Sequence, residues 1–199
     1  DQGRLAPVHP SLARQGRRTH ALCFALTFAV AMHWCRGSVE DVVRLGSEAH
    51  ALAKRHGLPL WEGVNGLFLL WAQARMGALT DTGSLFGAAA MMQEAYQAGI
   101  TTSRWIAIHA LVAQGAWDEA DSLLAVTIKE ADFHEDQYCL ADLIWLQGES
   151  RMHRGYPLEA QEYWQQALTL ARQQKAVGLA SRFNLRLAQV LPELSSIPA

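Results

Sequence analysis

The chain has 199 residues, half of them apolar and only 18% charged, enough to bury a substantial core as one domain or a continuous stack. Its formal net charge of -2 leaves no electrostatic footprint for nucleic acid. The 3 cysteines are widely spaced and make no disulfide framework, which fits a reducing, cytoplasmic setting.

Residues 1–18 carry Gly3, Pro7, Pro10 and Gly16 and read as a linker or loosely packed lead-in, with Arg4, Arg14, Arg17 and Arg18 as a solvated basic cluster. The chain begins on Asp1 rather than Met, so it reads as a piece of something longer. The first helix is expected from about Thr19 to Arg36. Its apolar run, Ala21 to Met32, follows Arg17-Arg18 and imitates a targeting signal, but it is too short to span a bilayer. We read it as a buried helix. Ser38 then suits an N-cap, with Glu40 and Asp41 in the first turn of a second helix that stops at Gly57.

The next pair spans about Leu60–Met76 and Asp81–Ala98, with Gly83 and Gly87 inside its second helix as signs of close packing or a local irregularity. A third pair spans about Thr102–Gln114 and Trp117–Ala131. A fourth spans Asp136–Arg154 and Pro157–Gln174, Pro157 sitting where its missing N–H is harmless. A last helix, about Val177–Leu191, is expected to stop at Pro192, leaving 192–199 as a tail. It places Leu179, Phe183, Leu187 and Val190 on one side and Arg182, Arg186 and Gln189 on the other, as a capping helix requires. No run alternates apolar and polar residues between turn signals, so the chain reads as all-α.

Gly37, Gly77, Gly115 and Gly155 fall 40, 38 and 40 residues apart, each closing one helical pattern and opening another. That period predicts a solenoid of about four helix pairs plus the terminal helix, with units near 19–57, 60–99, 102–131 and 136–174 in a domain spanning 19–191.

In the fourth unit, small residues at Gly148, Ala160 and Ala167 with bulky Trp164 let helices cross closely and fill the gap to the next. With Gly155, this spacing resembles a tetratricopeptide repeat (TPR), although Arg151 and Arg172 depart from its usual aromatic and proline. The third unit keeps Gly115 and Ala120, with Leu124 at the bulky position. The earlier units rest mainly on the period. The stretch Gly155–Lys175 followed by Leu179–Ala188 is also similar to the C-terminal repeats of large multidomain bacterial signalling and transcriptional regulators.

The resemblance implies a right-handed α-α superhelix whose concave groove is lined by the first helix of each pair. It picks out Phe24, Thr27, Ala31 and Trp34; Val64, Leu67, Trp71 and Ala74; Thr102, Trp105, His109 and Val112; and Asp142, Trp145, Glu149 and Met152. Of these, Phe24, Trp34, Leu67, Trp71, Trp105, His109, Trp145, Glu149 and Met152 are the candidate partner-binding residues, since groove aromatics anchor peptides or helices. Lys and Asn are missing where repeats that clamp a C-terminal carboxylate present them, so that form of capture is not implied.

The expected function is a non-catalytic protein-interaction or regulatory segment, cytoplasmic, whose partner is a protein, a peptide or upstream domains of the same chain. A sensory receptor for a peptide or small molecule, with a pocket around Trp71, Trp105 and Trp145, is the alternative. Packing against neighbouring domains or self-association is a third. No nucleic-acid contact, membrane, metal or other cofactor is expected. His20 and Cys23 share a helix face without forming a metal set, and Glu130, Asp132, Glu135 and Asp136 around His134 read as a solvated acidic loop.

Overall fold

The structure is a computed structural model that describes residues 10–95, 100–133 and 137–194, with side chains for 18–95, 100–131 and 137–190. These residues are all-helical: α1 Pro10–Cys35, α2 Val39–Arg55, α3 Pro59–Arg75, α4 Gly83–Ala95, α5 Ile100–Gln114, α6 Trp117–Phe133, α7 Leu140–His153, α8 Pro157–Gln173 and α9 Val177–Leu194. They fall into two compact units that divide between Gln114 and Gly115.

In the first unit α3 is central and packs against α1, α2, α4 and α5. It is apolar nearly all round, burying Val64, Leu67, Phe68, Trp71, Ala72 and Ala74 together with Gly63 and Asn65, as a helix covered on several sides must. Glycine sets the approach distances. A Cβ on Gly63 would lie 2.9 Å from the Met92 amide nitrogen of α4, and one on Gly46 of α2 would lie 3.2 Å from Leu69 of α3. Gly83 and Gly87 do not mark close helix packing: Gly83 opens α4 with its amide donating to Asp81 (2.9 Å), and Gly87 faces open space.

In the second unit α7 packs on α6 and α8, and α8 on α9. Arg154, just past α7, reaches back to α6. Its Nη2 donates to Asp118 (2.7 Å) and Asp121 (2.8 Å) and its Nε to Asp121 (3.0 Å). These hydrogen bonds raise the guanidinium pKa above its ordinary value. His153 stacks on Trp117 beside them, with ring centroids 4.6 Å apart.

Left-handed residues close helices in both units. Gly37, Gly57, Gly77, Gly115 and Gly155 all have positive φ, and so does one non-glycine, Lys175, at φ 56. At five of these six ends the following amide donates back across the turn to a carbonyl of the last helical turn. The pairs are Ser38 to His33, Leu58 to Ala53, Ala78 to Gln73, Tyr156 to Arg151 and Ala176 to Ala171, at 2.8 to 3.0 Å. This is the Schellman arrangement, which satisfies the orphan carbonyls and turns the chain sharply.

Several boundaries differ from the sequence expectation. α1 starts at Pro10 rather than Thr19, so half of the expected linker is helical; a proline with φ already near the helical value suits a first helical position. The fourth pair begins with a tight 3-10 turn, Gln137–Cys139, before α7. α9 runs past Pro192 to Leu194 rather than stopping before the proline. Ser38 precedes α2 as expected but does not cap it: its hydroxyl donates to Asp41 (2.9 Å), which also accepts from Arg44 (2.7 Å). Those two hydrogen bonds hold the Asp41 carboxyl below the usual carboxylate range. The expected stop at Gly99 and most of the acidic loop around His134 lie outside the described residues.

Four stability outcomes are expected. Lys175→Gly removes the cost of a left-handed L-residue and should raise unfolding free energy by about 0.5–1 kcal/mol, whereas Gly155→Ala should lose about 1 kcal/mol, both read by denaturant titration. Gly148→Ala should lose about 3 kcal/mol, because its Cβ would meet Trp164 at 2.5 Å and the Ala160 carbonyl at 3.0 Å. Adding Trp164→Leu should then cost less than the sum of the two single changes.

Candidate functional site

The end of α1 turns Trp34 into the first unit, where it is the hub of an aromatic cluster. Its ring lies 4.7 Å from Trp105 and 5.1 Å from His109 of α5, and 5.5 Å from Phe68 and 6.4 Å from Trp71 of α3, all edge-on or tilted. These geometries suit the quadrupoles of the rings, and such pairs contribute roughly 1 kcal/mol each beyond their burial. Trp34, Leu67 and Trp71 are buried, so they form core rather than a groove lining. Trp105 and His109 are half-buried and give the cluster its outer edge.

Phe24 is separate from this cluster and 47% exposed. It packs on Phe28 (4.5 Å) and edge-on to Trp61 (5.6 Å), whose Nε1 donates to His20 (3.1 Å). His20 thus serves an indole, and Cys23, buried behind it, hydrogen-bonds the Ala49 carbonyl. Burial pushes the Cys23 thiol above its ordinary pKa. Thr27 and Asn65 form the polar link between α1 and α3, with Asn65 Nδ2 donating to Thr27 Oγ1 (2.7 Å) and to the Trp61 carbonyl (2.7 Å). α1 itself is only half covered. The expectation of a buried first helix is corrected: Leu22, Phe28 and Met32 are all more than half exposed.

In the second unit Trp145 is buried. It stacks on Phe183 of α9 (4.2 Å, 6° between planes) and on Trp164 of α8 (5.5 Å), which makes it the centre of that core and not a lining residue. Met152 packs on the same core half-buried. Ala160 and Ala167 are fully buried beside Trp164, and Ala120 is fully buried on α6. Arg182 and Arg186 of α9 are exposed and also hold acids of α7. Arg182 donates to the buried Asp142, and Arg186 lies 3.5 Å from Glu149.

Each unit has an open cavity among its described residues. A smaller one of about 390 Å³ lies among α2, α3 and α4 and is lined by His50, Glu62, Gly63, Gly66, Gln73 and Met91. The larger, about 900 Å³, lies along α7 and α8 and is lined by Leu140, Ile144, Leu158, Gln161, Gln165, Thr169 and Gln173 among others. Its leucines offer an apolar floor and its amides offer both donors and acceptors, a combination able to bond a peptide main chain. The sequence reading missed this face. The signal was present in the glutamines and threonine at 161, 165, 169 and 173, one per turn of α8.

Among the described residues no group of three or more His, Cys, Asp or Glu is placed to hold a metal, and no helix is long and apolar enough to cross a membrane. Comparison with protein-family models, curated proteins and solved structures found no match for this chain.

The Asp142–Arg182 pair has a measurable consequence. Arg182→Ala removes the guanidinium from beside a carboxylate that is 1% exposed and should lower stability by about 2 kcal/mol, read by urea unfolding. Asp142→Asn in the same chain should recover part of that loss, since a neutral amide is cheaper to bury.

Proposed function

We propose that this chain is a non-catalytic, TPR-like interaction segment of a larger bacterial signalling or transcriptional regulator, and that it binds an extended peptide segment of a partner or of an upstream domain. The observation that carries the reading is the recurrence of left-handed helix closures at 37, 57, 77, 115, 155 and 175. Successive helices closed by the same kind of turn form helix pairs that present long surfaces rather than one enclosed pocket. With Trp34, Trp71 and Trp145 packed inside, the peptide surface moves from the aromatic face to the amide-lined cavity of the second unit. Leu158, 77% exposed, is its apolar anchor, and Gln161 and Gln165 bond the peptide backbone. Half-buried Trp105 and His109 offer a second, smaller contact in the first unit. Regulation follows if the peptide prefers one of two arrangements of the helices, because only differential affinity shifts such an equilibrium.

Selection of random peptides displayed on phage against the whole chain tests this. Enriched peptides should lose affinity about 10-fold or more on Leu158→Glu and more modestly on Gln165→Ala, with unchanged circular dichroism. Failure to enrich any peptide, or binding indifferent to both changes, would sink the proposal.

A further inference from the structure

The open cavity of about 390 Å³ among α2, α3 and α4 has walls that packing alone does not explain. Of the glycines that line it, only Gly63 is demanded by a neighbour, the α4 backbone. A Cβ on Gly66 would make ordinary contacts from 3.8 Å, and one on Gly87 would meet nothing within 4 Å. Both stand inside helices, where glycine is less favourable than alanine. A methyl group at either position would strengthen its helix and shrink the cavity.

The polar groups on these walls are mostly acceptors. His50 Nδ1 donates to the Glu62 carbonyl (3.0 Å), since a carbonyl only accepts, and in the neutral ring this leaves Nε2 as a lone pair. The Ser84 hydroxyl donates to Asp81 (3.2 Å), so its remaining capacity is also to accept. The half-buried Glu62 carboxylate has no ion-pair partner among the described residues, and no Lys or Arg is among the residues lining the cavity. A partly desolvated carboxylate without a cation is unfavourable, and a cation from outside would remove that cost. Leu70, Ala88 and Met91 supply apolar contact alongside.

We propose that this cavity binds a small primary ammonium compound with an apolar body. The ammonium brings one positive charge and three donors to a carboxylate and two neutral acceptors. An anion would be repelled by Glu62, and a neutral alcohol would leave the carboxylate unpaired. The volume is at the low end for ligand sites, which limits the body to about ten non-hydrogen atoms. A ligand of that size binds weakly, with a dissociation constant on the order of 0.1–1 mM. The site belongs to the first unit and does not depend on the peptide surface proposed for the second.

Amide-resolved NMR titration of the whole chain with phenethylamine reads the site. Saturable shifts should fall on α2, α3 and α4. Phenethyl alcohol, the same body without the charge, should bind at least about 10-fold more weakly, and hydrocinnamate, its anionic counterpart, should not bind. Glu62→Gln should weaken the amine about 10-fold with unchanged circular dichroism and leave the affinity for the alcohol as it was. Gly87→Leu should block the cavity yet unfold at the same or a higher temperature, because Gly87 serves the site and not the fold. No saturable shift up to about 10 mM amine, shifts confined to other helices, an alcohol that binds as well, or affinity indifferent to both substitutions would each overturn the proposal.

Discussion

Backbones in this protein touch where a side chain is missing, and the rest of the packing is arranged around those points. At Gly148 the space a Cβ would take is filled by the edge of the Trp164 indole and the Ala160 carbonyl. That contact fixes how α8 crosses α7. It places Trp164 beneath Trp145, which then offers its other face to Phe183. α9 is thus seated by a stack of three rings that begins at one glycine. Gly63 does the same work in the first unit, where the α4 backbone lies in the space of the absent Cβ. Overpacking at such points is costly because the neighbour is backbone or a locked ring, neither of which can swing away.

Close crossing needs helices that stop at defined places, and the left-handed closures provide this. A Schellman turn reverses the chain within a few residues and leaves no orphan carbonyl beside the apolar core. Lys175 shows that the geometry is required and the glycine is only its cheapest occupant: the backbone adopts φ 56 there and makes the same 2.9 Å bond from Ala176 to Ala171. The closures at Gly57 and Gly155 are followed two residues later by Pro59 and Pro157, which start the next helices from an already helical φ.

This division explains what could be read from the sequence. Local chemistry was legible: glycine at a helix end, proline at a helix start, and small residues opposite Trp164 all act within one turn or one crossing. Gly37, Gly77, Gly115 and Gly155 therefore marked real helix ends. The fate of the aromatics was not legible, because it depends on residues far along the chain. Trp34 is covered by Trp105 and His109, some 70 positions later, and no rule about helix faces says whether that distant element arrives. Trp145 is closed by Phe183 in the same way, and the half-exposed Arg182 reaches the buried Asp142 carboxylate 40 positions back. Phe24 kept its exposure because α1 is covered on one side only. The glutamine face of α8 was overlooked for another reason: uncharged amides on a helix surface look the same whether they border a cavity or plain solvent.

The first and last helices handle their outer sides differently, and the difference is chemical. α9 turns outward Ser181, Asn184, Gln189 and parts of Arg182 and Arg186, whose charged ends are engaged with α7, together with Leu185, which is 69% exposed. Such a side is mixed, with polar groups on either flank of one leucine. α1 turns outward alanines, Phe28, Met32 and Cys35, with arginines only at its two ends. The uncharged outer side of α1 is its own and not a property shared by these helices: on α3 the residue 40 positions beyond Cys35 is Arg75, charged and exposed.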